Sequence, residues 1–255
     1  MAFFRNLIKP LKPAPPTVVR PVVPTQLPKI KAPTAEKICG EFKPHPEALK
    51  LLTPQQTPPQ YLNALQQNQL SEDSVKTLAY GLPERESVWW ATQSAKKVAD
   101  PANTADAAAI KAAEAWVKNP TELTKQQAAA AAAKTNFQSP GAWAAQGAAW
   151  SQPAVPAMPQ PGVPPIPRLT PHAVSGAVMM ASAMSAGKLP QVPQVQPPQL
   201  KAPTLARPEI AVPKLNAPQA PQIALTPPEK AEMAKSTDPF IQTGLDIASG
   251  KSSWV

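Results

Sequence analysis

The sequence predicts an all-α protein, a small antiparallel helical bundle or solenoid-like domain carried on extended proline-rich arms. Three observations point there. Of 37 prolines, ten fall in residues 1–46 and nineteen in 152–228, against seven in 47–151. The large aromatic residues Tyr61, Tyr80, Trp89, Trp90, Trp116, Phe137, Trp143 and Trp150 lie between the two proline-rich zones, where they can supply the core that a small domain needs. Within that stretch apolar residues recur at helical spacing: Val75, Leu78, Ala79 and Leu82 fall at i, i+3, i+4 and i+7.

These features divide the chain into a basic proline-rich arm (1–46), a helical domain (47–151), a proline-rich linker (152–169), an additional helix packing on the domain (170–187), an extended spacer (188–225) and a closing helical segment that docks back (226–255). In the arm, proline recurs every few positions over residues 10–33, which favours polyproline-like backbone and a tether. Short helical turns are expected at Ala35–Cys39 and Pro46–Leu52. From Thr53 onward the prolines sit where helices begin, since a first-turn residue needs no N–H. Thr57, Asn119, Ser139 and Ser71 are the expected N-caps, the last followed by Glu72 and Asp73 in the first turn.

Five or six helices of 10–17 residues are expected in the domain, including 103–118 and 121–136. The alanine run Ala128–Ala133 has high helix propensity and lets helices approach closely. Another helix runs from Thr170-Pro171 to Ala186 and ends at Gly187 as a C-cap. The closing segment opens on Thr226-Pro227-Pro228-Glu229, a capping-box spacing, and Pro239 is expected to split it. Beyond the split, Phe240, Ile241, Leu245 and Ala248 form an apolar stripe that must find cover, which brings the segment back onto the domain.

The formal charge is +9, and eight Lys or Arg against two Glu in residues 1–46 supply six of those units. Such an arm attracts nucleic acid, anionic membrane or an acidic protein surface alike, or simply keeps the chain soluble. Residues 9–41 contain no aromatic residue, so the arm lacks the stacking platform of single-strand binders, and nucleic acid is not the expected partner. Phe3 and Phe4, with Leu7, Ile8, Lys9 and Lys12, give at most a weak membrane contact, because fewer than three turns precede Pro10. The opening apolar run is too short for a signal peptide. With one cysteine and no membrane-length apolar stretch, the chain reads as cytoplasmic.

No catalytic, cofactor or metal site is expected. The only imidazoles are His45, between two prolines, and His172, at a helix start, and neither has a nucleophile's motif around it. Cys39 reads as a small buried hydrophobe. Glu84, Glu86, Glu114 and Asp100 stand near helix ends and read as dipole partners rather than an acid pair. Two histidines and one cysteine make no metal cluster, and no glycine-rich phosphate loop occurs.

The residues left for recognition are Arg85, Glu86 and Trp90, with Phe3 and Phe4 in the arm. Neighbours on a helix lie about 100° apart, so Trp89 and Trp90 cannot share one narrow stripe. Val88, Ala91, Ala95 and Trp89 are expected to face inward. Trp90 is then left under the closing helix or at a partner surface beside Arg85 and Glu86, with Arg85 pairing a carboxylate while stacking on an indole.

The stretch Leu78-Ala79-Tyr80-Gly81-Leu82-Pro83-Glu84-Arg85-Glu86-Ser87-Val88-Trp89-Trp90-Ala91 resembles the signature of a bacterial family of small helical proteins of unknown function. Further matches are Ala113–Val117 with Asn119-Pro120, Pro140–Ala145, Pro171–Val178 and Gly244–Gly250. Together they cover roughly residues 47–187 and 238–250; the basic arm and the long spacer depart from the family's pattern. Members are similar in lying near type VI secretion genes, and the resemblance carries over no catalytic residue. It implies a non-catalytic adaptor that assists assembly or effector loading of a contractile secretion apparatus, with spike, tip or effector proteins as partners. The alternative is a structural component of a phage or other contractile particle whose arms order on assembly.

Overall fold

The computed structural model describes residues 20–151, 168–187 and 227–254. Among the described residues there are ten helices and no strand: α1 (Ala35–Cys39), α2 (Pro46–Lys50), α3 (Pro58–Gln67), α4 (Ser71–Gly81), α5 (Glu84–Lys97), α6 (Thr104–Lys118), α7 (Glu122–Lys134), α8 (Pro140–Ala149), α9 (Thr170–Ser185) and α10 (Pro227–Ala248). The all-α expectation holds.

Local chemistry sets most of the helix starts. Pro58 and Pro140 open α3 and α8, and Ser139 caps α8 by accepting from the Ala142 N–H at 3.2 Å. At α3 the Gln60 side chain reaches back to the Thr57 N–H at 2.9 Å, half of a capping box. Two expected caps are displaced. Asn119 is the C-cap of α6, and Thr121 caps α7 instead, accepting from the Thr124 N–H. Ser71 is already inside α4, whose N-cap position is held by Leu70 with no capping side chain.

At the centre lie α8 and α9. From Pro140 to Ala148 every residue of α8 is buried, and so are most residues of α9. α8 packs against α5, α6, α7 and α9, and α9 also against α4, α5 and α10. A helix surrounded on all sides must be apolar all round, and alanine and glycine let neighbours come close. The helix expected as an addition at 170–187 is thus part of the core, and Gly187, at φ 69°, ends it in the left-handed conformation. The alanine run of α7 is peripheral by comparison: only Ala128 and Ala132 of that helix are buried.

Residues 20–33 do not run as a free tether. Val23, Leu27 and Ile30 are buried in the main core, and the Lys29 N–H donates to the Ala248 carbonyl at 3.1 Å. A proline-punctuated strand of chain can therefore still bury the aliphatic residues between its prolines. Below it, Ala35, Cys39, Ala48, Tyr61 and Leu65 form a second small core, closed by the Tyr61 hydroxyl donating to the Ala48 carbonyl at 3.1 Å. Burial pushes the Cys39 thiol up to about 11, so at pH 8 it is almost wholly the unreactive thiol. Labelling by a thiol reagent is expected to be far slower in the native protein than in denaturant; equal rates would show that this small core opens freely.

α10 runs unbroken through Pro239, contrary to the expected split. Pro239 leaves the Lys235 carbonyl, four residues back, without its N–H partner, and one turn earlier the hydroxyls of Ser236 and Thr237 bond a different carbonyl, that of Met233, at 2.9 and 2.6 Å. Beyond the proline, Lys97 of α5 holds the next turn, donating to the Pro239 carbonyl at 3.1 Å and to the Thr243 hydroxyl at 2.6 Å. Phe240, Ile241, Leu245 and Ala248 are all buried, so the apolar stripe returns to the domain as its spacing required.

Candidate functional site

The signature Leu82-Pro83-Glu84-Arg85-Glu86 places α5 where four parts of the chain meet. Leu82 ends α4 as a buried residue and Pro83 stands at the N-cap position of α5. At the second position of the helix, the Arg85 Nε donates to the Val117 carbonyl at 2.6 Å and its Nη2 to the Lys118 carbonyl at 3.0 Å. Those carbonyls are at the negative, C-terminal end of α6, where a fixed cation is favoured. The guanidinium also lies 4.6 Å over the Trp254 ring. Stacking on an indole is thus found, but two carbonyls take the place of the expected carboxylate.

Glu86 faces the other way. Its side chain is largely buried and meets the Lys29 ammonium at 3.3 Å, tying α5 to the N-terminal segment. The tryptophan pair divides as helix geometry demands, but in the opposite sense to the expectation. Trp90 is fully buried, with its Nε1 donating to the Phe240 carbonyl of α10 at 2.8 Å, whereas Trp89 is partly exposed and lies beneath the Lys96 ammonium at 5.8 Å. Val88, Ala91 and Ala95 do face inward. α5 has a second covered side because α10 returns onto it, and that side takes Trp90. Of the two places expected for Trp90, it takes the one under the closing helix and not the one at a partner surface, and Phe3 and Phe4 lie outside the described residues.

The residue to which sequence reasoning gave no structural role is Gly244. A Cβ at this position would stand 2.7 Å from the Trp90 ring, closer than carbon atoms approach, so glycine is what lets α10 rest flat on the indole. A glycine between Ile241 and Leu245, inside an apolar helical stripe, was the available signal.

His45 serves as the N-cap of α2, its Nδ1 accepting from the Glu47 N–H. Glu114 pairs with Lys96 across α5 and α6, and Asp100 accepts from the Ala102 N–H at 2.9 Å. Among the described residues, no group of three or more His, Cys, Asp or Glu stands together as a metal site, and no helix is long and apolar enough to cross a membrane.

A cleft of about 110 Å³ opens where the end of α3, the start of α4, the first half of α10 and Arg20 come together; Gln66, Gln69, Ser71, Lys235 and Asp238 line it. Asp238 is buried, and desolvation pushes its carboxyl from an ordinary 3.8 up to about 6, with Arg20 opposing the shift. A carboxyl that holds its proton more tightly when folded stabilises the protein fully below pH 4, and this contribution is lost as pH rises through about 6. Asp238→Asn is accordingly expected to raise the melting temperature at pH 7.5 and to leave it little changed at pH 4; the same shift at both values would contradict it.

What the fold and these contacts define is an all-helical body whose signature residues fasten one helix to the next. Residues 61–196, more than half of the chain, match a family of unknown function, DUF6931, and the protein belongs to that family. No curated protein and no solved structure matches the chain. The matched span runs from α3 through α9, so the partners of Arg85, Glu86 and Trp90 on Trp254, Lys29 and α10 come from outside it.

Proposed function

We propose that the protein is a non-catalytic adaptor, acting in the bacterial cytoplasm, that assists assembly or effector loading of a type VI secretion apparatus through protein–protein contacts. The observation that carries this reading is the use made of the signature. Arg85, Glu86 and Trp90 each hold two parts of the chain together, so the motif specifies a shape, and presenting a fixed shape is what an adaptor does. The proline-rich sequences joined to that body support the reading, because polyproline backbone is already ordered and loses little entropy when a partner takes it up. The secretion context rests on the resemblance of the signature to proteins encoded beside such systems.

Affinity purification of the full chain from its native host is the test. Spike, tip or effector proteins are expected with the bait, and their absence would sink the proposal. Sedimentation of intact contractile particles separates the structural alternative, since a building block travels with the particles in fixed ratio and a loading factor stays behind.

A further inference from the structure

We propose that the groove formed by the end of α4, the start of α5 and the end of α10 reads a seven-residue motif that this chain carries twice, so that Val212–Pro218 competes there with Leu27–Pro33. The inference stands apart from the secretion reading, because it concerns what the groove accepts whatever apparatus the protein serves.

The contacts of Leu27–Pro33 show what is read. Leu27 and Ile30 are buried in the main core, and Ala32 packs against it. Between them the Lys29 N–H donates to the Ala248 carbonyl at 3.1 Å, and the Lys29 ammonium meets Glu86 at 3.3 Å. The Ile30 N–H donates back to the Leu27 carbonyl at 2.9 Å, closing a turn whose second residue is Pro28, a place that suits proline's fixed φ. Pro28, Lys31 and Pro33 are exposed.

Residues 212–218, which lie between α9 and α10 and outside the described residues, repeat this text in register. Val212-Pro213-Lys214-Leu215-Asn216-Ala217-Pro218 stands against Leu27-Pro28-Lys29-Ile30-Lys31-Ala32-Pro33, with four positions identical and two exchanging one aliphatic side chain for another. The one change of character, Asn216 for Lys31, falls at an exposed position. Each group that the groove touches over these seven residues thus has a counterpart, and so does the turn proline. Lys214 supplies an ammonium for Glu86, a largely buried carboxylate that is costly to leave without a cation. A plain spacer has no reason to keep lysine and aliphatic residues at the places that face the groove.

Reach and strength set the order of the two occupants. Lys214 stands thirteen residues before Pro227; at about 3.1 Å each, such backbone spans about 40 Å. From Pro227 to Ala248 α10 rises only about 31 Å, so Lys214 can come to the groove of its own chain. Upstream the two segments differ, because buried Val23 has Pro208 at the matching place. Leu27–Pro33 is therefore the stronger occupant, and Val212–Pro218 takes the groove when the first is drawn off. Release of the basic arm to a partner then costs less, since the apolar floor is covered again.

Two measurements on the full chain test this. In Val212→Asp with Leu215→Asp, at positions between α9 and α10, the Lys29 amide is expected to exchange with deuterium at least threefold more slowly than in the wild type, because the competing occupant is lost. Unchanged exchange would overturn the proposal. The second variant, Leu27→Asp with Ile30→Asp, weakens the first occupant. Carbodiimide, which joins a carboxylate directly to a touching amine, is expected to link Glu86 to Lys29 in the wild type, and to Lys214 at least fivefold more often in the variant than in the wild type. Links to Lys201 as frequent as those to Lys214 would mean tethering without recognition. Lys214 links between copies, in a mixture of isotope-labelled and unlabelled chains, would assign the groove to a second copy. Either result overturns the proposal, as does a missing Lys214 link in a variant whose α8 and α9 amides stay protected. If that variant fails to fold, the Lys29 exchange rate decides.

Discussion

Trp90→Ala is expected to cost roughly 3–5 kcal/mol of stability, the range for deleting a fully buried large side chain, and Trp89→Ala clearly less. The Trp90 ring has no exposed surface and fills the space between α5 and α10. Its loss leaves a cavity that neighbours already packed against α8 and α9 cannot close, and it removes the indole donor to the Phe240 carbonyl. Trp89 remains partly exposed, so part of its surface is in water before and after the change. Urea melts of the two variants decide the order. Equal losses would show that Trp89 supports the core as much as Trp90 does, and the reverse order would mean that α10 contributes little to the fold.

The order within the tryptophan pair also shows where sequence reasoning stops. Helices α3, α5, α6, α8 and α9 could be located because a proline, a capping side chain or a terminal glycine marks their ends, and these are local signals. Which side of α5 is covered is not local. It depends on α10, whose sequence begins well over a hundred residues later, and on Lys29, nearly sixty residues earlier. The apolar periodicity of α10 announced that it would dock, and of the two places expected for Trp90 it is the one beneath this helix that the structure shows.

Two further features were illegible for a related reason. The centrality of α8 and α9 leaves little periodic trace, because a helix buried all round has no polar face to mark it. Ala142, Ala144, Ala145 and Ala148 look like helix formers of any position, yet all are fully buried. Likewise Val23, Leu27 and Ile30 sit among prolines, and composition alone assigns such a stretch to a tether. Ile30 packs against Gly81 so closely that a Cβ there would stand 3.2 Å from its side chain, a contact that no local pattern announces. Of the residues expected to recognise partners, Arg85, Glu86 and Trp90 were legible as special, in that each makes a specific contact. The groups that Arg85, Glu86 and Trp90 contact in the fold come from the same chain.

Gly244→Val is expected to detach α10 rather than unfold the whole body. The new Cβ would stand 2.7 and 2.9 Å from two atoms of the Trp90 ring. The ring cannot swing aside, since it is fully buried and its Nε1 is held by the Phe240 carbonyl. The helix must therefore lift, and overpacking of this kind costs about 3 kcal/mol. Lifting α10 also uncovers Phe240, Ile241, Leu245 and Ile247, and breaks the bonds from Lys97 to its middle and from the Lys29 N–H to Ala248. Nothing in the contacts among α5, α6 and α8 depends on it. Amide hydrogen exchange should then show protection lost over residues 240–248 and retained over α5, α6 and α8. Gly244→Ala should follow the same course more mildly, because alanine recovers about 1 kcal/mol of helix propensity over glycine. Wild-type protection of α10 in the valine variant would mean that the helix can slide along α5 without loss, and that its close approach to Trp90 is not what holds it.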